Sequence, residues 1–175
     1  MTKQTKFAIA VIVQLLIIFT IIIFKMAVLT GGTEVLLKIE PVDPRDPFRG
    51  DYVTFRYEIS NIDSYYFPYP DKDNLKEGDT VYIPLEPRGK YWNVTYYRAS
   101  RKKPTDQNQV FIKGKVLSVS NYNVRIKYGI EEYFIEEGKG RGFSFWDKEV
   151  SATVVLDEDG NSVLKQLYVD DNPWP

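Results

Sequence analysis

The sequence predicts a mainly β fold: one N-terminal transmembrane helix followed by a compact β-barrel or β-sandwich domain of about eight or nine strands. Three observations carry this. Residues Phe7 to Phe24 form an apolar run interrupted only by Gln14 and Thr20. After residue 33 the chain becomes a succession of short alternating runs rich in Val, Ile, Tyr and Phe. No later window has the spacing of a convincing amphipathic helix.

As a helix, Phe7 to Phe24 would span about 27 Å, and continuing to Leu29 gives about 35 Å, enough to cross a bilayer. Lys25 could snorkel its ammonium to the headgroups. A cleaved signal peptide usually has a shorter apolar region followed by small residues in an A-x-A-like pattern, which "KMAVLTGG" lacks. Lys3 and Lys6 precede the run, so the positive-inside rule puts residues 1–6 in the cytoplasm, the anchor at 7–29 and the rest outside. That is a single-pass protein of the cell membrane. Residues 30–33, "TGGT", read as a hinge, and 34–175 as one extracytoplasmic domain.

Of the 23 Lys and Arg, three precede residue 34, leaving 20 against all 24 Asp and Glu, a net of −4. A mildly acidic domain suits phosphate backbones poorly, so no nucleic-acid partner is expected. The sequence has no Cys and no His. Disulfides, Cys–His metal sites and His-based triads are therefore excluded, and neither metal nor cofactor is expected.

The strands follow in order. "EVLLKIE" places Val35, Leu37 and Ile39 on one face, and "YVTFRYEI" does the same for Val53, Phe55, Tyr57 and Ile59. In "TVYIPL", Pro84 suggests a sheet edge or strand end. "YWNVTYY" and "VFIKGKVLSV" come next, the second with an apolar phase that slips around Gly114 and suggests a β-bulge. "YNVRIKY" alternates cleanly from Tyr122 to Tyr128. "VSATVVL" and "SVLKQLYV" form a hairpin through "DEDGN", whose Asp159-Gly160 suits a tight turn. A calcium-loop reading of that turn fails because Tyr168 stands where a bidentate Glu is needed. "FRGDYVTFRY" and "KEGDTVYIPL" both place Gly-Asp just before a strand, which is a common way to enter one.

Without His or Cys, catalysis would depend on Asp, Glu, Ser, Thr, Lys or Tyr. The layout resembles signal peptidases in its N-terminal span and in Gly50-Asp51-Tyr52-Val53. Their Ser would fall at Val42, however, and "EPVDPRDPFR" contains neither Ser nor Thr, so Lys113 or Lys115 would have no hydroxyl to activate. Asp43, Asp46 and Asp51 alternate with Arg45 and Arg49, a pattern suited to ion pairs more than to an acid–base pair. The expectation is therefore not an enzyme. Tyr52, Tyr57, Tyr65, Tyr66, Tyr69, Tyr82, Tyr91, Tyr96, Tyr97 and Trp92 crowd the first half of the domain. Most suit half-buried strands, but a Tyr-rich face around "YYFPYP" could bind a glycan or peptide.

Two segments carry a family resemblance. "GDYVTFRY" resembles the motif of the GDYXXLXY-domain proteins, bacterial and membrane-anchored, with Phe55 in place of Leu. "KYGIEEYFIEEGKGRGFSFW" is similar to that family's second recurring segment, through Tyr128, Gly129, Ile130, Glu131, Tyr133, Phe134, Glu137, Gly138 and Gly140. The resemblance implies no defined chemistry, but members tend to accompany multispanning membrane proteins, which implies an integral membrane partner beside the lipid bilayer. The expected function is that of an accessory or assembly protein; the alternatives are a degenerate signal-peptidase-like or other hydrolase relative, and a glycan- or peptide-binding module. The expected contact surface joins Arg45, Asp46, Arg49, Asp51, Tyr52 and Arg56 to Glu137, Lys139 and Arg141, with the two loops lying together.

Overall fold

The computed structural model describes residues 2–40, 52–96, 98–106, 108–134 and 147–174. The apolar run forms α1 (Lys3–Gly31), 29 residues long. Thr2 caps its start, its hydroxyl accepting from the Thr5 N–H at 3.2 Å. Side chains such as Phe7, Leu16, Phe19 and Ile23 stand exposed. Thr20, a polar interruption of the run, donates its hydroxyl to the Leu16 carbonyl at 2.8 Å, so that group is satisfied without water. This helix is long and apolar enough to cross a membrane.

The strands are β1 (Thr33–Glu40), β2 (Tyr52–Thr54), β3 (Arg56–Tyr57), β4 (Asn61–Asp63), β5 (Thr80–Arg88), β6 (Tyr91–Val94), β7 (Phe111–Val119), β8 (Asn123–Lys127), β9 (Glu132–Phe134), β10 (Val150–Leu156), β11 (Ser162–Val169) and β12 (Asn172–Trp174). One helical turn, α2 (Asp71–Asn74), precedes β5. Two five-stranded antiparallel sheets run in the orders β12-β11-β10-β1-β3 and β4-β8-β7-β5-β6. A 3-10 turn at Glu58–Ser60 carries the chain from β3 in one sheet to β4 in the other, and β6 lies against β1. Val35, Leu37 and Ile39 from one sheet join Ile83, Ile112 and Ile126 from the other in a single core. The mainly β expectation holds, with more and shorter strands than the alternation suggested.

Four local readings change. "YVTFRYEI" is not one strand: β2 pairs with β9, β3 pairs with β1, and Ile59 lies in the 3-10 turn, although Phe55, Tyr57 and Ile59 are all buried as expected. Pro84 sits inside β5, which is not an edge strand. It is tolerated because Tyr82 exchanges backbone bonds with Ser100, and Pro84 accepts from Thr95, on the side away from β7, where the regular ladder is interrupted and no Pro84 N–H is required.

Gly114 is not the bulge; the register shifts between Val116 and Ser118. Gly114 keeps the inward phase because a Cβ there would lie 2.4 Å from Ile126 Cγ2 and 2.9 Å from Tyr128 Cδ1. Finally, residues 30–33 are the end of α1, a capping Gly32 and the first residue of β1, with the Gly32 N–H donating to the Val28 carbonyl at 3.0 Å. A Cβ on Gly32 would lie 2.5 Å from the Leu156 carbonyl oxygen, and Val28 is buried against the domain. The helix meets the sheet through a packed junction.

The C-terminal hairpin forms as expected. Asp157 accepts from the N–H groups of Asp159 and Asn161, at 2.9 and 2.8 Å, and Gly160 takes φ +77°. The second Gly-Asp is likewise a turn: Gly78 has φ +86°, and Asp79 accepts from the Lys76 N–H at 2.9 Å.

Candidate functional site

The two family-like segments fold against each other. The Phe55 N–H donates to the Glu131 carbonyl at 3.0 Å. From there the ribbon continues through Thr54 opposite Glu132, Val53 opposite Tyr133 and Tyr52 opposite Phe134. On the core side, the Tyr57 hydroxyl donates to the Ile130 carbonyl at 2.9 Å, and the Tyr128 hydroxyl donates to the Ile59 carbonyl at 2.6 Å. Each segment thus supplies the buried hydroxyl that the other's backbone accepts. Burial pushes both phenols well above the usual tyrosine value, with the Glu131 carboxylate adding to the shift.

Glu131 itself holds the turn that delivers Ile130: its carboxylate accepts from the N–H groups of Tyr128 and Gly129. Gly129 takes φ +82°, which suits glycine there. The Phe55 and Tyr57 rings meet edge to face at 5.5 Å, so the Phe at the motif's Leu position packs into the core. The described part of both motifs is therefore spent on holding two strands and a turn together.

Of the residues expected to form the contact surface, Tyr52 lies in β2 opposite Phe134, and Arg56 lies half-buried in β3 opposite Glu40. Arg45, Asp46, Arg49, Asp51, Glu137, Lys139 and Arg141 lie outside the described residues, so the distance between the two loops does too. Their described flanks are neighbours at both ends. Segment 41–51 leaves β1 at Glu40 and enters β2 at Tyr52; segment 135–146 leaves β9 at Phe134 and leads to β10 at Val150. Tyr52 pairs with Phe134, and Ile39 pairs with Val150. Antiparallel partners lie about 5 Å apart, so the two segments leave and return at adjacent points.

A polar cluster without any signal in the sequence adjoins this end. The Lys90 ammonium pairs with Asp171 and, at 3.3 Å, with Glu149, and the Tyr91 hydroxyl bonds Glu149 as well. The bonds from Tyr91 and Lys90 hold the Glu149 carboxyl below its usual range. The bond to Asp171 raises Lys90 despite its exposure. The Asp170 N–H donates to the Glu149 carbonyl at 2.8 Å, from a turn in which Asp170 and Asp171 take φ +49° and +65°. These residues come from β5–β6, the start of β10 and β11–β12, separations of 58 and 81 positions that no local pattern reveals.

Elsewhere Asp71 is pulled two ways. Burial works against its charge, but the Ser100 hydroxyl at 2.8 Å and Arg101 lower it overall. Lys103 lowers Asp159. These shifts stabilise charged, paired carboxylates, opposite in sign to the raised value a general acid needs. Lys113 and Lys115 stand exposed on the outer face of β7. No group of three or more metal-ligating residues occurs among the described residues.

The tyrosines divide. Tyr57 is core, whereas Tyr65 and Tyr69 are exposed around a turn that buried Phe67 pins to the core. Lys72 sits 4.0 Å from the Tyr65 ring centroid, and Tyr66 meets Tyr96 edge to face at 4.9 Å.

A family model described as "GDYXXLXY protein" matches residues 14–167 of the chain. No curated protein and no solved structure matches it.

Proposed function

We propose that this chain, which belongs to the GDYXXLXY family, is a single-pass membrane protein whose β domain outside the cytoplasm serves as an accessory or assembly partner of an integral membrane protein. The observation that carries the reading is the joining of α1 to the domain. Val28 is buried, Gly32 is closed against the Leu156 backbone, and β1 starts at Thr33. A domain held this way keeps a fixed pose relative to the bilayer, which suits docking on a neighbour confined to the same membrane better than reaching for a soluble substrate. The contact is assigned to the end where segments 41–51 and 135–146 leave the ribbon, with Tyr52 and Arg56 at its described margin. Lys3 and Lys6 support an N-terminus in the cytoplasm.

The test is photo-crosslinking in intact membranes from positions 49, 56 and 139, followed by identification of the captured chains. Recovery of one multispanning protein from all three positions, but not from Lys72 at the Tyr-rich turn, is the expected result. Capture of no membrane protein would overturn the reading. A second reading is favoured by Tyr65 and Tyr69, exposed beside Lys72: a peptide- or glycan-binding face. Crosslinking that concentrates at Lys72 would select it.

A further inference from the structure

The outer face of β7 and β8 is basic. Lys113, Lys115 and Lys127 point outward from the core, and Lys115 stands directly opposite Lys127 in the antiparallel register. Like charges in that position repel unless an anion lies between them. Lys115 and Lys127 have no carboxylate within ion-pair distance among the described residues, and Asp159, whose carboxyl Lys113 helps to lower, already pairs with Lys103. Arg125, on the same face, donates to the Ser118 hydroxyl at 3.1 Å.

This face borders the end of the apolar helix. A cleft of about 430 Å³ is lined by Phe24 and Lys25 of α1 together with Lys113, Lys115, Leu117 and Lys127. With α1 across the bilayer and the Lys25 ammonium reaching the headgroups, the three lysines that share its cleft stand at that same level. Further along β7, Leu117 is exposed at the bulge and lines the same cleft. The packed Gly32 junction keeps the face in that position.

From this placement we infer that the β7–β8 face docks on anionic phospholipid headgroups of the leaflet from which α1 emerges, their phosphates lying between Lys115, Lys127 and Lys25 and the tip of Leu117 entering the interface. The inference rests on α1 spanning the membrane. Each surface cation is worth about fivefold in partition to an anionic surface, so Lys113, Lys115 and Lys127 together shift docking by on the order of a hundredfold.

The sequence has no Cys, so single labels can be placed cleanly. The full chain carrying Leu117→Cys with a fluorophore is reconstituted in phosphatidylcholine vesicles, with or without roughly a third phosphatidylglycerol, and quenching by a headgroup nitroxide is measured. Quenching should rise several-fold with phosphatidylglycerol. It should fall back in about 0.5 M salt, where screening is short-ranged, and in the triple variant K113Q/K115Q/K127Q, whose exposed positions leave the core intact. A parallel label at Leu16→Cys reports the anchor through an acyl-chain nitroxide in both compositions. Leu16 quenched throughout with Leu117 indifferent to phosphatidylglycerol overturns the headgroup inference alone. Leu16 unquenched in both compositions overturns the membrane span, and the inference falls with it.

Discussion

Tyr57→Phe removes one oxygen from the centre of the molecule and leaves the ring in place. The residue is fully buried, its edge-to-face contact with Phe55 survives, and the loss is confined to the 2.9 Å bond to Ile130, whose carbonyl is then left without that donor. A net hydrogen bond contributes about 0.5–1.5 kcal/mol, and a buried group left unsatisfied costs about 1–3 kcal/mol, so the variant should lose about 2 kcal/mol. Tyr128→Phe breaks the reciprocal 2.6 Å bond to Ile59 and should lose about as much. Both bonds join the same two segments, so the double variant should fall short of additivity by about 0.5–1 kcal/mol. In a domain of this size each kcal/mol lowers Tm by about 2–4 °C. Thermal unfolding of the full chain in bilayer nanodiscs, followed by near-UV circular dichroism, should therefore place each single variant about 4–8 °C below the parent. Losses below about 0.5 kcal/mol in both single variants would refute the reasoning, because the tyrosines would then not be holding the two segments together.

The same phenols predict an alkaline limit. Their folded pKa values are raised, so their contribution is fully present below the unfolded value of about 10 and is lost above it, by up to about 1.4 kcal/mol per pH unit for each tyrosine. The slope above pH 10 should be shallower in Tyr57→Phe, and an equal slope would contradict the assignment. Gly32→Ala would drive a Cβ to 2.5 Å from the Leu156 backbone, and Gly114→Ala would drive one to 2.4 Å from Ile126 Cγ2. Each should cost about 1–3 kcal/mol by overpacking in the same melts, with Gly32 the worse because its neighbour is backbone. Ser60→Ala should be neutral or mildly stabilising, since the buried Ser60 hydroxyl finds no hydrogen-bond partner among the described residues. A loss above about 1 kcal/mol there would reveal a partner outside the described residues.

The sequence by itself determined the features written in local order. Eighteen residues of nearly unbroken apolarity are a membrane-length helix whatever follows them. The alternation of Val35, Leu37 and Ile39, of Phe55 and Tyr57, and of Val124 and Ile126 marks each core face, because the side-chain period of a strand is two. Alternation names the face but not the partner. Only the tertiary structure decided that "YVTFRYEI" is shared between a ribbon and a sheet, and that Pro84 lies mid-strand where its missing N–H is not required. Gly114 looked like a break in phase; it is a close approach to Ile126 and Tyr128, which a linear reading cannot see. The expected contact surface was legible as composition, yet what brings its described flanks together is the pairing of Tyr52 with Phe134, 82 positions apart. The Lys90–Glu149–Asp171 cluster left no trace in the sequence, because charges that meet across three loops carry no periodicity. Long-range contacts are chosen by the whole core at once, which is why the motif's Tyr57 could be read as buried while its acceptor, the Ile130 carbonyl, could not be read at all.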